Sequence, residues 1–125
     1  MIVIDASALV ALLKNEPGAD VVSRHMDEPV VSAANLAETL TRLVDDGADA
    51  LAVRAALERS PIVFVPVTAD HATGAAQLRT LTRPLGLSLG DRLCLALALE
   101  ANLPVLTAER RWANLALPLN ILQIR

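Results

Sequence analysis

Apolar residues along this chain occur in two kinds of run. Five short runs are apolar at nearly every position, which is typical of strands that are buried on both faces. They are Met1–Ile4, Pro29–Ser32, Ile62–Val67, Pro104–Leu106 and Ile121–Ile124. The longer stretches between them repeat apolar residues at helical spacing. These stretches predict helices at Ala6–Leu13, Ala19–Met26, Ala33–Val44, Ala48–Arg59, Ala69–Thr82 and Leu89–Ala101.

The order of these elements predicts the fold class. Strands and helices alternate, and the strands lack the polar–apolar alternation of a half-exposed sheet. We therefore expect an α/β protein with three layers, α/β/α, built around a mostly parallel central sheet of about five strands. In such folds, binding sites form beyond the carboxyl ends of the strands.

The composition is that of one globular domain spanning residues 1–125. Hydrophobic residues make up 54% of the chain and charged residues 20%, and no linker, repeat or low-complexity tract divides it. The richest apolar run, Leu93–Leu99, is too short to span a bilayer. Met1–Asp5 lacks the basic segment of a signal peptide, and the single cysteine, Cys94, excludes an internal disulfide. We expect a cytoplasmic protein.

Four acidic residues stand where such a sheet gathers functional groups. Asp5 follows the first strand, Glu38 lies in the helix after the second, Asp91 opens the helix Leu89–Ala101, and Glu109 follows the fourth strand. Clustered carboxylates repel one another unless cations occupy the cluster, and all-oxygen ligation suits Mg²⁺ or Mn²⁺ rather than zinc. Such sites typically hydrolyse phosphodiesters.

Each acid also has an ordinary structural interpretation. Asp5 is placed to cap the helix that begins at Ala6, and Asp91 stands three residues after Ser88, as in a capping box. Glu38 fits a solvated helix position, and Glu109 fits the first turn of a helix. Spacing alone leaves both interpretations open.

The net charge of −3 does not exclude a nucleic-acid partner. Setting the four site acids aside from the 14 in the chain leaves ten acids against 11 basic residues. Ten of the basic residues are arginines, whose guanidinium groups suit bidentate contact with phosphate. Arginine-rich surfaces are also often merely solvated, so the charge is compatible with nucleic acid without proving it.

Four segments, in order, resemble the motifs of PIN-domain nucleases, specifically the VapC-type toxins of bacterial toxin–antitoxin pairs. They are Ile2–Leu9, Ser32–Glu38, Leu87–Ala98 and Leu103–Trp112. The third is the most specific of these, and the resemblance spans the whole chain.

The resemblance implies a PIN fold, Mg²⁺ or Mn²⁺ as cofactor, and endonucleolytic cleavage of RNA such as a structured transfer or ribosomal RNA. It implies that Asp5, Glu38 and Asp91 are the core catalytic and metal-binding acids, with Glu109 as the fourth. The family more often has aspartate at this fourth position. The longer glutamate makes the second metal position less firmly assigned than the first.

Four further residues beside these acids match the motifs. The resemblance implies that the Ser7 and Thr107 hydroxyls lie beside the site, where they either orient a carboxylate and metal-bound water or cap helices. Arg92 and Arg110, each adjacent to a site acid, are candidate phosphate contacts, and the alternative for them is charge compensation of those acids.

Two partners besides RNA are also implied by the resemblance. A cognate antitoxin is expected to lay a helix into an apolar groove. The resemblance also implies a homodimer or a larger toxin–antitoxin assembly. The run Leu93–Leu99 is apolar on every side, so its helix is either sandwiched in the core or in contact with another subunit. We expect part of that apolar excess to form a subunit interface and the rest to accept the partner peptide.

Two other classes of function compete with this interpretation. A phosphatase of the haloacid-dehalogenase type needs a second aspartate at the position of Ser7, and a phosphoacceptor domain needs a late lysine, whereas the only lysine is Lys14. Both fit poorly. A non-catalytic binding module with a PIN fold stays open, because Glu109 departs from the usual motif.

Overall fold

The computed structural model describes every residue from Met1 to Arg125. The strands are β1 (Ile2–Ile4), β2 (Pro29–Ser32), β3 (Val63–Val65), β4 (Val105–Thr107) and β5 (Ile121–Gln123). The helices are α1 (Ala6–Leu13), α2 (Ala19–Ser23), α3 (Ala33–Asp45), α4 (Ala50–Glu58), α5 (Ala69–Gln77), α6 (Arg79–Thr82) and α7 (Leu89–Ala101). Two 3₁₀ turns cover Arg83–Leu85 and Arg110–Asn114.

All five strands are parallel and lie in the order β3-β2-β1-β4-β5. The first three strands therefore progress in one direction, and β4 returns to pair with the other side of β1. Ile4 of β1 stands opposite Leu106 of β4. This reversal puts the switch point of the sheet between the ends of β1 and β4, where open α/β sheets form their binding crevices.

Each face of the sheet is buried against its own layer of helices. Successive residues of a strand point to opposite faces, so Ile4 and Leu106 join one core cluster while Val3 and Val105 join the other. Helices α1–α4 contribute to the first cluster. Helix α7 and Trp112 contribute to the second. The three-layer α/β/α fold and its parallel five-stranded sheet, predicted from the hydropathy pattern, are confirmed.

Several predicted boundaries shift for local reasons. The predicted helix 69–82 divides into α5 and α6 at Leu78, a buried residue, and after α6 the chain continues as the 3₁₀ turn Arg83–Leu85, in which Pro84 has no N–H to donate. Helix α4 begins at Ala50 because the Asp49 side chain accepts a hydrogen bond from the Leu51 N–H at 2.9 Å. Helix α2 ends at Ser23, and β3 is three residues long.

The apolar run in α7 does not form the expected surface. Residues Leu93–Ala98 are all buried within the chain itself, so the prediction that this run serves a subunit interface or a partner peptide is wrong. The helix is apolar all round because it lies under other elements of its own domain. The most exposed large apolar side chain lies instead on α4, at Leu51. No helix has both the length and the hydropathy needed to cross a membrane.

Candidate active site

Asp5 is the most buried of the four acids, with 1% of its surface exposed. Its Oδ1 accepts hydrogen bonds from the Ala8 backbone N–H and the Ser7 hydroxyl, both at 2.8 Å. Its Oδ2 accepts a hydrogen bond from the Thr107 hydroxyl at 2.6 Å. Asp5 therefore caps α1, as its ordinary interpretation predicted, but its carboxylate is also held by β4 across the switch point.

The two hydroxyls of this network also connect the segments around them. The Ser7 hydroxyl accepts a hydrogen bond from the Ala108 N–H at 2.9 Å, and the Thr107 hydroxyl accepts one from the Glu109 N–H at 2.9 Å. A hydroxyl can accept one hydrogen bond while it donates another. Ser7 and Thr107 thus fix the segment after β4 relative to Asp5, and both lie beside the site as the motifs implied.

The surroundings of Asp5 oppose its ionisation. The pKa of Asp5 is raised from 3.8 to about 7, because burial and, to a smaller extent, the charge of Asp91 raise it by more than the hydrogen bonds from Thr107, Ala8 and Ser7 lower it. A buried carboxyl with three hydrogen-bond donors and a raised pKa is favourable for a bound cation, which would stabilise the charged form.

Glu38 lies in the second turn of α3, which begins at the end of β2. Ser32, the last residue of β2, caps this helix by accepting the Ala34 N–H at 3.2 Å, so the strand end fixes where α3 starts. The Glu38 side chain is half-buried, and its Oε1 accepts a hydrogen bond from the Asn35 side-chain amide at 2.8 Å. Burial raises the pKa of Glu38, and the charge of Asp91 adds to the effect.

Asp91 is the third residue of α7 and forms a capping box with Ser88. The Asp91 Oδ2 accepts the Ser88 N–H at 2.9 Å, and the Ser88 hydroxyl accepts the Asp91 N–H at 3.1 Å. Burial raises the pKa of Asp91, and the charge of Glu109 raises it further while Arg111 lowers it. The predicted capping box is confirmed, and it also fixes the direction of this carboxylate.

Charge interactions link Asp91 to each of the other three acids. The charge of Asp91 acts on Asp5 and Glu38, and the charge of Glu109 acts on Asp91. Asp91 is therefore the central member of the group. No group of three or more acidic, imidazole or thiol side chains has the spacing of a closed metal site. The acids form an adjacent set rather than a completed ligand shell.

Glu109 differs from the other three acids in its partner. Its Oε2 accepts a hydrogen bond from the Arg111 guanidinium at 3.1 Å, and its backbone carbonyl accepts the Gln123 side-chain amide at 3.0 Å. Arg111 also donates to the Leu85 carbonyl at 3.0 Å, so it joins the turn that precedes α7 to the segment after β4. Sequence reasoning did not identify Arg111, although its spacing of two residues from Glu109 was visible.

The two arginines selected from the sequence lie in different surroundings. Arg92 is half-buried, and its guanidinium donates to the Ala75 carbonyl of α5 at 2.9 Å. It forms no ion pair with Asp91, so the charge-compensation interpretation of Arg92 is wrong, because the side chain leaves the start of α7 toward α5. Arg110 is exposed and forms no ion pair within the chain, which leaves its guanidinium accessible to a phosphate.

The donor set suits a hard divalent cation. All four acids offer oxygen, and the thiol among them, Cys94, is fully buried with its pKa raised by burial and by the charges of Asp5, Asp91 and Glu38. A thiol with a raised pKa stays protonated and does not ligate metal. The residues present therefore fit Mg²⁺ or Mn²⁺ and do not fit zinc.

Three of the four acids, Glu38, Asp91 and Glu109, are partly exposed, whereas Asp5 is buried. A cleft of about 510 Å³ lies at the amino ends of the strands, and none of the four acids lines it. Small-molecule enzymes usually enclose their substrates in a pocket. Partly exposed acids outside this cleft are better suited to a polymer that lies across them.

Solved structures of similar fold include several toxins. A toxin–antitoxin complex from Klebsiella pneumoniae matches with a TM-score of 0.80 and 17% identity, covering 100% of this chain and 98% of that one. FitAcB from Neisseria gonorrhoeae matches with a TM-score of 0.73 and 20% identity, covering 99% and 98%. A Sarcin-Ricin loop cleaving VapC toxin from Mycobacterium tuberculosis matches with a TM-score of 0.71 and 21% identity, covering 86% and 88%.

At these identities the structural matches establish likeness of fold. No curated protein sequence matches the chain at a significant level. The family model described as PIN domain matches residues 2–117. Because that match includes four of the five strands and all four acidic segments, the chain belongs to the PIN domain family, as its motifs predicted.

Proposed function

We propose that this protein is an endoribonuclease dependent on Mg²⁺ or Mn²⁺ that acts as the toxin of a toxin–antitoxin pair. The observation that carries the proposal is Asp5, a carboxylate buried at the switch point of the sheet, hydrogen-bonded to Thr107 of the neighbouring strand and influenced by the charge of Asp91. Asp5, Glu38, Asp91 and Glu109 would be the catalytic and metal-binding residues. Bound cations would supply the attacking hydroxide and stabilise the leaving oxygen of a phosphodiester.

The residues around the site have separate parts in this reaction. Asp5 and Asp91 would hold the first cation, because their carboxylates are fixed by the Ser7 and Thr107 hydroxyls and by the capping box of α7. Glu38 would face the same space from α3. Glu109 would contribute to a second cation position, for which its carboxylate must first leave Arg111.

A structured RNA, such as a transfer or ribosomal RNA, is the proposed substrate. The partly exposed acids outside the cleft suit a polymer. Arg79, Arg83 and Arg110 are exposed and form no ion pair within the chain. Arg83 begins the turn whose Leu85 carbonyl accepts a hydrogen bond from Arg111, the partner of Glu109. Guanidinium groups in such positions suit phosphate.

The proposed partners are suggested by the solved structures of similar fold, one of which is a toxin–antitoxin complex. We propose a cognate antitoxin, a homodimer or larger toxin–antitoxin assembly, and a cytoplasmic location. Exposed apolar side chains at Leu51 of α4, Val63 of β3 and Leu89 at the start of α7 are available to protein partners, whereas the buried run Leu93–Ala98 is not.

The test is metal-dependent cleavage by the purified protein. Structured RNA should be cut in the presence of Mg²⁺ or Mn²⁺ and left intact after chelation, and Asp91→Asn should abolish the cutting. Asp49→Asn is the matched control, because Asp49 also caps a helix, Asn caps as well as Asp, and α4 bears no site residue. Equal cleavage by Asp91→Asn and Asp49→Asn would overturn the proposed site.

A second candidate is a non-catalytic PIN-fold module that binds RNA or protein. The observation that favours it is the ion pair that engages Glu109, together with the unclosed ligand shell. Calorimetric titration with Mn²⁺ separates the two functions. Binding of RNA without cleavage, and without measurable Mn²⁺ binding at millimolar concentration, would support the module.

A further inference from the structure

Asn35 is a buried amide inside the segment Ser32–Glu38, where the sequence assigned it no role, and it contacts one of the four acids. It stands one helical turn before Glu38 on α3 and is 1% exposed. Its Nδ2 donates to Glu38 Oε1 at 2.8 Å and to the Gly90 backbone carbonyl at 3.2 Å. It therefore joins α3 to the first turn of α7, directly beside Asp91.

The orientation of this amide is fixed by its two acceptors. Rotating it by half a turn would bring Oδ1 against two oxygens that have no proton to offer, the Glu38 carboxylate and the Gly90 carbonyl. In the observed orientation Oδ1 is buried and has no hydrogen-bond partner. A leucine of similar volume would leave no such orphan atom, so fold stability alone does not favour an amide here.

Gly90 is the second residue that determines where the Glu38 carboxylate lies. A Cβ atom added to Gly90 would overlap the Glu38 carboxylate. The Glu38 carboxylate therefore rests directly on the backbone of α7, in space that any side chain at position 90 would occupy. Gly90 lies inside a helix, where alanine is normally preferred. Its lack of a side chain is explained by the position of Glu38.

We propose that Asn35 and Gly90 are positioning residues that hold the Glu38 carboxylate beside Asp91. Asn35 engages Oε1 and leaves Oε2 without a hydrogen bond. The pair acts through Glu38 and does not itself touch the reacting atoms. The effect on cleavage rests on the proposed function, whereas the positioning itself does not.

The sharpest test is Gly90→Ala, because it separates stability from activity. The atoms that the new methyl group meets belong to the far end of a flexible side chain, so Glu38 should swing away while the fold persists. We expect an unchanged or slightly raised Tm, because alanine favours helix. We expect kcat and Mn²⁺ affinity to fall by about 10- to 100-fold, the usual cost of losing the support of a metal-site carboxylate.

Gly74→Ala is the matched control for that variant. Gly74 is also a helical glycine that faces α7, but an added Cβ would contact Ala96 at 3.1 Å rather than an acid. This variant should lower Tm through crowding and leave kcat unchanged. If Gly90→Ala instead lowers Tm and retains wild-type kcat and Mn²⁺ affinity, Gly90 is a packing residue and the proposal is overturned.

Asn35→Leu tests the contribution of the Asn35 amide to the position of Glu38. The variant should fold and should lose about 10-fold or more in kcat and in Mn²⁺ affinity, with little change in KM. In the double variant with Glu38→Gln, it should add nothing to the loss that Glu38→Gln causes alone. A merely structural residue would add its own loss. Thr39→Val, which removes a buried hydroxyl of the same helix, is the control that should keep kcat.

The outcomes distinguish this inference from the proposed function. Wild-type protein that neither binds Mn²⁺ nor cleaves RNA would overturn the proposed function. The positioning would then be decided by crystal structures of Asn35→Leu and Gly90→Ala: a displaced Glu38 side chain supports it, and an unmoved one overturns it. Active wild-type protein with fully active Asn35→Leu and Gly90→Ala would overturn the positioning alone.

Discussion

Asp5 and Glu109 follow adjacent strands, yet their carboxylates are held in opposite ways. Asp5 is buried and accepts hydrogen bonds from a backbone amide and two hydroxyls, none of which carries charge. Glu109 is more than a third exposed and pairs with a guanidinium that is itself half-exposed. Neutral donors fix the direction of a carboxylate but leave its negative charge uncompensated. In an ion pair at the surface, by contrast, other cations readily replace the positive partner.

This difference assigns unequal parts to the two sides of the site. The Asp5 side has a preformed geometry and a strong electrostatic need for a cation. The Glu109 side already has a positive partner, Arg111, which an incoming cation must displace. We therefore propose one firm metal position at Asp5 and Asp91 and a second, near Glu109, that fills together with the RNA phosphate.

The largest expected effect is on cleavage when the Asp5 side is neutralised. Asp5→Asn should lower kcat by on the order of 10³-fold, the scale for removing a group that stabilises developing charge. Glu109→Gln should cost about 10-fold, since its carboxylate is already engaged. Single-turnover cleavage of a labelled RNA measures both variants. Equal losses of kcat in Asp5→Asn and Glu109→Gln would contradict the unequal roles proposed for Asp5 and Glu109.

The next effect is on stability as pH changes. The pKa of Asp5 is raised to about 7 in the folded state and is near 3.8 in the unfolded chain, so between these values the folded state binds more protons. Metal-free protein should therefore lose stability as pH rises from about 4 to about 7. The loss is on the order of 4 kcal/mol at most, since each pKa unit corresponds to about 1.4 kcal/mol.

Urea unfolding at pH 5 and pH 8 in the presence of a chelator measures this slope. Asp5→Asn should flatten most of it and should make the protein more stable than wild type at pH 8. Asp49→Asn keeps Asp5 and should keep the slope. The raised pKa values of Glu38 and Asp91 act in the same direction, so part of the slope should persist.

A smaller effect concerns the guanidinium on the Glu109 side. Arg111→Gln frees the Glu109 carboxylate and removes a positive charge near Asp91, so Mn²⁺ should bind more tightly. The gain should be about two- to fivefold, the scale of one exposed ion pair. Calorimetry at low ionic strength measures it, and Arg111→Lys serves as the control that retains the charge. Weaker Mn²⁺ binding by Arg111→Gln would contradict the competition between Arg111 and the cation.

The smallest effect concerns RNA affinity. Arg83→Gln should weaken binding of uncleavable RNA a few-fold and reduce the slope of log Kd against log salt by about 0.7 to 0.9, the value for one phosphate contact. Arg42→Gln on α3 is an equally exposed control with no ion pair. An identical salt slope for the two variants would place the RNA elsewhere.

The sequence was informative about the site where function and local structure coincide. Asp5 and Asp91 were found because Asp5 directly follows a buried strand, Asp91 opens a helix, and both lie in segments that resemble the family motifs. Asn35 and Arg111 were missed, although each stands within three residues of a site acid. Their roles depend on distant backbone carbonyls at Gly90 and Leu85, which no local pattern reveals.

The sequence by itself determined the alternation of strands and helices, the parallel sheet and the acids at its carboxyl edge. It could do so because both a strand buried on two faces and a helix produce a hydropathy pattern among residues that are close together in the sequence. Only the tertiary structure decided that Glu38 rests on Gly90, that Arg92 turns to Ala75 and that α7 is covered by its own chain. Those contacts join segments that are not adjacent in the sequence, and their geometry is set by how the helix layers pack on the sheet.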